Sequence, residues 1–320
     1  MATSYSSIFT FQSNIMERIL KMWDVTWFHC SNPSEKDIKE LVERYDLHEI
    51  IEEDISEVNT QDKVDVYDDS IFLVLHFPKF NQWTKAYYSN EFNIILWKNF
   101  IISLTTYETN HIEEIRKDYM DALENGREDF KMSPYYVLYM MIDVMYDKVL
   151  WALTKFKKDL TVLENKVFSA SKMDENLIKS LMIKKRNAIN LKHIMLPQQE
   201  LLVELWKLSE KMYHWDLDVY FEDLEFKHDK IMSNIAIVTE STDTLFDSYN
   251  TVMTVKTNDM VSVLTIVTVV IWIMTFLTWL YGMNVGLPWQ DFPYTFLILL
   301  WIMVLLWWTL LFVFRKKSRL

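Results

Sequence analysis

Two long stretches near the C-terminal end constrain this chain more than anything else in it. Neither 260–281 nor 292–314 contains a charged residue. A helix needs about 20 apolar residues to cross a hydrocarbon core roughly 30 Å thick, so each stretch is predicted to span a bilayer. The alternative is a pair of buried core helices, but two such runs in one soluble domain are rare. Between them lies Tyr281-Gly-Met-Asn-Val-Gly286, with two of the chain's three glycines. Glycine used so sparingly marks backbone that bends or comes close to something.

Charge sets the predicted orientation. Arg315, Lys316, Lys317 and Arg319 follow the second stretch, and Lys256 precedes the first. Basic residues favour the cytoplasmic side. A hairpin of two spans returns to the side it left, so both termini are predicted to be cytosolic and the glycine-containing loop external. Met1 to Thr10 is polar with no apolar run behind it, which argues against a signal peptide. Trp279 and Trp289 are placed near the outer interface, Trp307 and Trp308 near the inner one. The implied location is a cell (inner) membrane, multi-pass.

The formal net charge is −12, yet the part from Asn258 onward is basic overall, so the acid is concentrated before it. An acidic domain of this kind does not favour nucleic acid or anionic lipid. It suits attraction of divalent cations, or simply solubility. The single cysteine, Cys30, excludes an intrachain disulfide and reads as a buried strand residue rather than a nucleophile. The seven histidines form no HExxH pattern, there is no P-loop, and no Ser or Cys motif is present. His48 and Glu52 lie one turn apart, as many pairs on exposed helices do. The chain does not read as an enzyme.

Residues 1–132 mix strand-like and helix-like runs. Strands are predicted at 25–30, 71–77, 92–97 and 100–105, with a hairpin turn at Asn99. Helices are predicted at 35–45, opened by Asn32-Pro33-Ser34, and at 48–55. This is a cytosolic α/β domain with a modest sheet, ending in a break at Asn125-Gly126. Residues 133–257 read as long cytosolic helices: 135–168 and 172–196 lack Gly and Pro, and Pro197 interrupts or kinks the helix there. From Gln198 to Tyr281 there is again neither. That run predicts a stalk helix of about 60 residues, roughly 90 Å long, continuing without a break into the first span. The spans are set at about 258–281 and 292–314, joined by an outer loop, 282–291, and followed by a basic tail, 315–320.

One copy of such a helix cannot bury its sides, and two spans cannot enclose a pore, so a homo-oligomer around an axis is predicted. At about 100° per residue, Asn258, Ser262, Thr265, Thr268 and Thr275 fall within a sector of roughly 140°. That uncharged polar face suits a pore lining. It equally suits helix packing, because Ser and Thr in membrane helices bond their own backbone or a neighbour.

Tyr281-Gly-Met-Asn284 after one span, then a second span and a Lys/Arg-rich end, resembles the CorA family of magnesium/cobalt transporters. The similarity extends through the segment from Lys256 to Ile266, Tyr220-Phe-Glu-Asp223, and the segment from Leu47 to Ile55. It implies a CorA-like homopentamer with an α/β/α sandwich (an α+β cytosolic domain), a long helical stalk and two C-terminal transmembrane helices. The implied activity is passive Mg2+ uptake, with Co2+ and sometimes Ni2+ accepted. Gly282, Met283 and Asn284 would form the selectivity loop. Mg2+ gives up water reluctantly, and a neutral amide ring bonds its water shell without stripping it, where carboxylates would hold it too tightly. By the same resemblance Asn258 is an inner polar ring, Val261 and Leu264 an apolar gate, and Thr275 part of the outer lining. Asp54 and Asp223 would bind regulatory Mg2+ between protomers and hold the pore shut.

The chain departs from that pattern in places. Ile273 stands where a proline is usual, and Trp272 where a pore-facing methionine is common. The segment after Asn284 carries only one acid, Asp291. A zinc-transporting branch shares the loop, so Zn2+ remains an alternative substrate. The chain otherwise reads as a membrane-anchored cytosolic sensor or scaffold. Its predicted partners are further copies of itself, membrane lipid and a divalent metal ion, with no nucleic acid.

Overall fold

The computed structural model describes residues 17–22, 25–57, 59, 61–67, 70–106, 114–115, 133–170, 174–213, 218–286 and 292–317. Six strands form one mixed sheet: β1 (Glu17–Met22), β2 (Val25–Ser31), β3 (Lys63–Tyr67), β4 (Ser70–Asn81), β5 (Ala86–Leu96) and β6 (Phe100–Thr105). Their order is β1-β2-β6-β5-β4-β3. Only β2 and β6 run parallel; the other neighbours are antiparallel.

The centre of the sheet explains its sequence. Seven successive side chains of β4, Ile71 to Phe77, are buried. A continuous apolar run of this kind belongs to a strand covered on both faces. On one face lie helices α1 (Glu35–Tyr45) and α2 (Glu49–Ser56). There Ile38, Val42, Ile51 and Ile55 pack with Phe72, Val74, Ile95 and Ile102. On the other lies α3 (Pro134–Ser169), whose Met141, Ile142 and Met145 line a small apolar cavity with Leu75, Phe92 and Ile94. The sandwich is therefore α/β/α.

Local chemistry fixes the ends of the elements. Ser34 caps α1: its hydroxyl accepts from the Asp37 N–H at 3.4 Å, while its own N–H donates to the Asp37 carboxylate at 2.9 Å. This reciprocal box satisfies two helix-end groups. Asp46 closes the helix with φ 51°, a left-handed geometry that Asp tolerates better than most residues. The turn at Asn99 closes the β5–β6 hairpin, with the Trp97 N–H bonded to the Phe100 carbonyl at 2.9 Å.

Beyond β6's reach, the first residues of β5 have an open edge. Helix α4 (Glu175–Met195) covers it with two asparagines. Asn187 accepts from the Tyr87 N–H and donates to the Lys85 carbonyl, and Asn190 donates to the Tyr87 carbonyl. Covering an edge in this way removes a template for foreign strands.

Two readings of the sequence change. The sheet is larger than predicted, because β1 and β3 are added and β4 and β5 are longer. The Gly- and Pro-free run after Pro197 is not one helix. It divides into α5 (Gln198–Tyr213) and α6 (Asp218–Tyr281), with 214–217 outside the described residues. Composition gives no sign of this division, since neither Gly nor Pro lies between Gln198 and Tyr281. The Trp206 indole donates to the Asp218 carboxylate at 2.8 Å, placing an acid at the start of α6, where the helix dipole favours it. The predicted break at Asn125-Gly126 also lies outside the described residues.

The chain forms two compact units. One comprises Met1–Asn165 and Asn176–Leu245; the other comprises Lys166–Glu175 and Phe246–Leu320. In the second unit the Tyr249 hydroxyl accepts from the Asp174 N–H at 3.3 Å, and the Lys256 ammonium donates to the Ala170 carbonyl.

Candidate ion pathway and carboxylate sites

Helix α6 is 64 residues long, about 95 Å at 1.5 Å per residue. Its C-terminal stretch is long and apolar enough to cross a membrane, and none of that stretch is buried. Helix α7 (Thr295–Lys317) is a shorter apolar segment over its described side chains. Each helix has one half-covered stripe. On α6 it runs through Val263, Ile266, Val270, Ile273 and Leu277; on α7 through Thr295, Leu299, Met303 and Leu306, then the buried Leu310. Spacings of three and four are those of packed helices.

Of the predicted polar face, Ser262 is half-covered; the other predicted pore-lining residues fall off that stripe. Asn258, Val261, Leu264, Thr265, Thr268 and Thr275 are exposed. The threonine hydroxyls are nonetheless engaged. Thr265 donates to the Val261 carbonyl at 2.9 Å, Thr268 to Leu264 at 2.8 Å and Thr275 to Ile271 at 2.8 Å. A hydroxyl has one proton to give and two lone pairs to accept with. Each back-bonded threonine therefore faces outward as an acceptor. Trp272 is exposed and stacks on Phe276, with ring centroids 6.0 Å apart.

Helix α6 ends at the glycine loop. The Gly282 N–H bonds to the carbonyls of Thr278 at 3.0 Å and Trp279 at 3.2 Å. A Cβ at Gly282 would sit 3.2 Å from the Thr278 oxygen, tighter than ordinary contact. A side chain at Gly282 would therefore push on the last turn of the helix by a few tenths of an ångström. Gly286 has nothing within 4 Å of such a Cβ, so the bend inferred there has no steric cause within one chain. Met283 and Asn284 are exposed beside it. Trp289, Asp291 and Arg319 lie outside the described residues, as do the side chains of Arg315, Lys316 and Lys317.

The two predicted regulatory carboxylates already have partners. Asp54 on α2 accepts from the Lys63 ammonium at 2.7 Å and from the Tyr67 hydroxyl at 3.3 Å. Lys63 also reaches Asp65 at 3.3 Å. Asp223 on α6 accepts from the Tyr139 hydroxyl of α3 at 3.0 Å. Burial, the Asp143 charge and this bond push the Tyr139 phenol well above its usual value, so it stays a donor. Nearby, Lys227 pairs with Asp143, and with Asp147 at 3.2 Å. Among the described residues, no three His, Cys, Asp or Glu side chains converge to hold an ion.

Sequence reasoning missed Lys63, Tyr67 and Tyr139. The first two had a signal: Lys63-Val-Asp-Val-Tyr67 alternates with period two, the pattern of a strand. It also missed a buried polar cluster beside α2. The His76 Nδ1 lies 2.7 Å from the Asp62 carboxyl, and its Nε2 lies 3.0 Å from the Asn59 carbonyl. Glu91 is 4.0 Å away. Asn59 in turn donates to the Asp54 carbonyl at 2.8 Å and, through its N–H, to Glu91 at 3.1 Å. Nothing in the sequence distinguishes these residues from solvated ones.

A three-layer α/β/α domain, a very long helix with an exposed apolar end and a shorter apolar helix after it make up the architecture of this chain. The chain belongs to the family of CorA-like Mg2+ transporter proteins, whose family model matches residues 23–316. It is 24% identical over 279 residues to the cobalt/magnesium transport protein CorA of Thermotoga maritima, covering 86% of this chain and 78% of that protein. The complete CorA magnesium transporter from Methanocaldococcus jannaschii matches with a TM-score of 0.76 at 17% identity, over 93% of this chain and 92% of that one. The ZntB cytoplasmic domain from Vibrio parahaemolyticus matches with a TM-score of 0.56 at 17% identity, over 72% and 88%. At these identities the structural likenesses speak for the fold. The family is one of divalent cation transporters, not of enzymes.

Proposed function

We propose that this protein is a homopentameric channel for passive Mg2+ uptake, which also accepts Co2+, across a cell (inner) membrane. Both termini are cytosolic, and 258–281 and 292–314 are its two spans. One observation carries this reading: the apolar C-terminal stretch of α6, none of it buried, ends directly in the exposed Gly282-Met283-Asn284 loop. Five copies bring five Asn284 amides together as the outer mouth. Below them Thr275, Thr268 and Thr265 offer lone pairs to the ion's water shell. Mg2+ keeps several waters when bound, and those waters are donors, so acceptor walls suit a hydrated ion. Leu264 and Val261 form an apolar gate that closes by shedding water, and Asn258 the inner ring.

In this reading Asp54 and Asp223 bind Mg2+ between neighbouring cytosolic domains. The ion prefers the closed ring and shifts the population toward it. When cytosolic Mg2+ falls, carboxylate repulsion loosens the ring. Loss of Mg2+ inhibition of flux in Asp54→Ala with Asp223→Ala is the expected result, and unchanged inhibition refutes this part.

Growth rescue of a magnesium-transport-deficient bacterium tests the main reading, with Asn284→Ala as control. Rescue by wild type and not by the variant is expected; equal rescue removes Asn284 from the mouth. The ZntB likeness supports Zn2+ as the alternative substrate. Flux of Mg2+, Co2+ and Zn2+ into liposomes holding the pure protein separates the two. No flux of any of them supports a membrane-anchored sensor or scaffold instead.

A further inference from the structure

We propose that Lys63 is a tethered counter-ion that competes with Mg2+ for Asp54 and so sets the ion concentration at which the protein responds. This rests on the assignment of Asp54 to a regulatory ion site. Both oxygens of Asp54 are engaged within its own chain: Oδ1 accepts from Lys63 at 2.7 Å and Oδ2 from Tyr67 at 3.3 Å. The pair is partly shielded, with 31% of the Lys63 side chain and 19% of the Asp54 side chain exposed. Salt screens such a pair less than it screens an exposed one.

The ammonium is well held in place. Lys63 lies on β3, whose register with β4 sets it opposite Val74. It sits 5.5 Å from the centre of the Phe72 ring and reaches Asp65 at 3.3 Å. Three attractions thus fix one cation at the carboxylate without any ion from solution. A tethered group meets its partner at a high effective concentration, in the millimolar range for short flexible tethers, and that is the range in which a free ion must compete.

An arriving Mg2+ must either displace the ammonium from Oδ1 or bind beside it against like-charge repulsion. Removing the ammonium leaves Asp54 and Asp65 facing one position with no cation between them. That arrangement attracts a divalent ion more strongly. Arginine keeps the charge and the reach, so Lys63→Arg preserves the competition.

The test is an Mg2+ titration of the full-length protein in detergent, read as protection against limited proteolysis. Wild type, Lys63→Met, Lys63→Gln, Lys63→Arg and Asp54→Asn are compared. For Lys63→Met and Lys63→Gln the Mg2+ midpoint is expected to fall about tenfold, while Lys63→Arg stays near wild type and Asp54→Asn loses protection. Two neutral variants guard against one that folds poorly, and thermal unfolding in chelator checks each. An unshifted midpoint in both neutral variants, with protection still lost in Asp54→Asn, overturns the proposal and leaves the Asp54 site standing. Undiminished protection in Asp54→Asn overturns the site and the proposal together.

Discussion

The two tryptophans Trp27 and Trp272 show how differently the two units of this molecule use the same side chain. Trp27 is 1% exposed in the sheet, with its indole N–H donating to Ser103 at 3.0 Å. Trp272 is 69% exposed on α6. The centre of the first unit's sheet encloses its apolar side chains, Ile71 to Leu75 and Ile94 to Leu96 among them. The second turns apolar side chains outward and folds its threonine hydroxyls back on the helix. A surface patch of this size on a monomer marks a surface meant for something other than water. The contrast is therefore between a sheet that buries Trp27 and a helix that exposes Trp272.

Substitutions that strike one unit and spare the other sharpen this contrast. The largest effect is expected for Trp27→Ala, about 3–5 kcal/mol lost from the sheet domain by analogy with other core truncations. Trp272→Ala changes that unfolding by no more than about 0.5 kcal/mol. Denaturant unfolding followed by far-ultraviolet circular dichroism compares them, and equal losses would erase the distinction. Asn284→Ala comes next. It is expected to lower Mg2+ flux in liposomes at least about tenfold, or about 1.4 kcal/mol, with the unfolding midpoint unchanged.

A pH effect of similar size belongs to the first unit alone. Burial pulls the His76 imidazolium down, but the Asp62 hydrogen bond and charge, the Asn59 carbonyl and Glu91 outweigh it, and its pKa is raised. Burial also raises Asp62, against a smaller lowering by His76. Both directions mean that the folded pair holds a proton the unfolded chain releases more readily. The Asp62 share of this stabilisation is lost from its own unfolded value of 3.8 upward; the His76 share is complete below about pH 6.5, its unfolded value, and is lost as pH rises through its raised folded value. The slope approaches about 1.4 kcal/mol per pH unit in that window. Thermal unfolding between pH 5.5 and 9 should show it, and Asp62→Asn should flatten it. The smallest effect is the cap of α1, where Ser34→Ala costs about 1 kcal/mol, measurable as a small fall in the urea midpoint.

Much of the architecture was legible because it depends on pattern. The apolar runs of β4, β5 and β6 and the Asn32-Pro33-Ser34 start of α1 announce themselves through burial and capping. β3 escaped notice because its period-two pattern, Lys, Val, Asp, Val and Tyr, is only five residues long. The division into α5 and α6 escaped because no glycine or proline marks it. The glycine loop was legible by scarcity, though only Gly282 has a steric reason to be glycine. Asp54 was legible by resemblance; the strand that carries its partners Lys63 and Tyr67 had a period-two signal, but their pairing with Asp54 had none. Tertiary pairing across a sheet edge leaves no periodic trace.

The back-bonded threonines of α6 have one more consequence, concerning the sign of charge. A wall whose hydroxyl protons are all committed to carbonyls has nothing to give an anion, which needs donors to replace its water. Chloride and phosphate find only lone pairs on the threonines of the proposed path, Thr275, Thr268 and Thr265. Between Met260 and Leu280 no side chain titrates. Rejection of anions by the path therefore needs no fixed negative residue, and acid or base in the medium has no group there to switch it off.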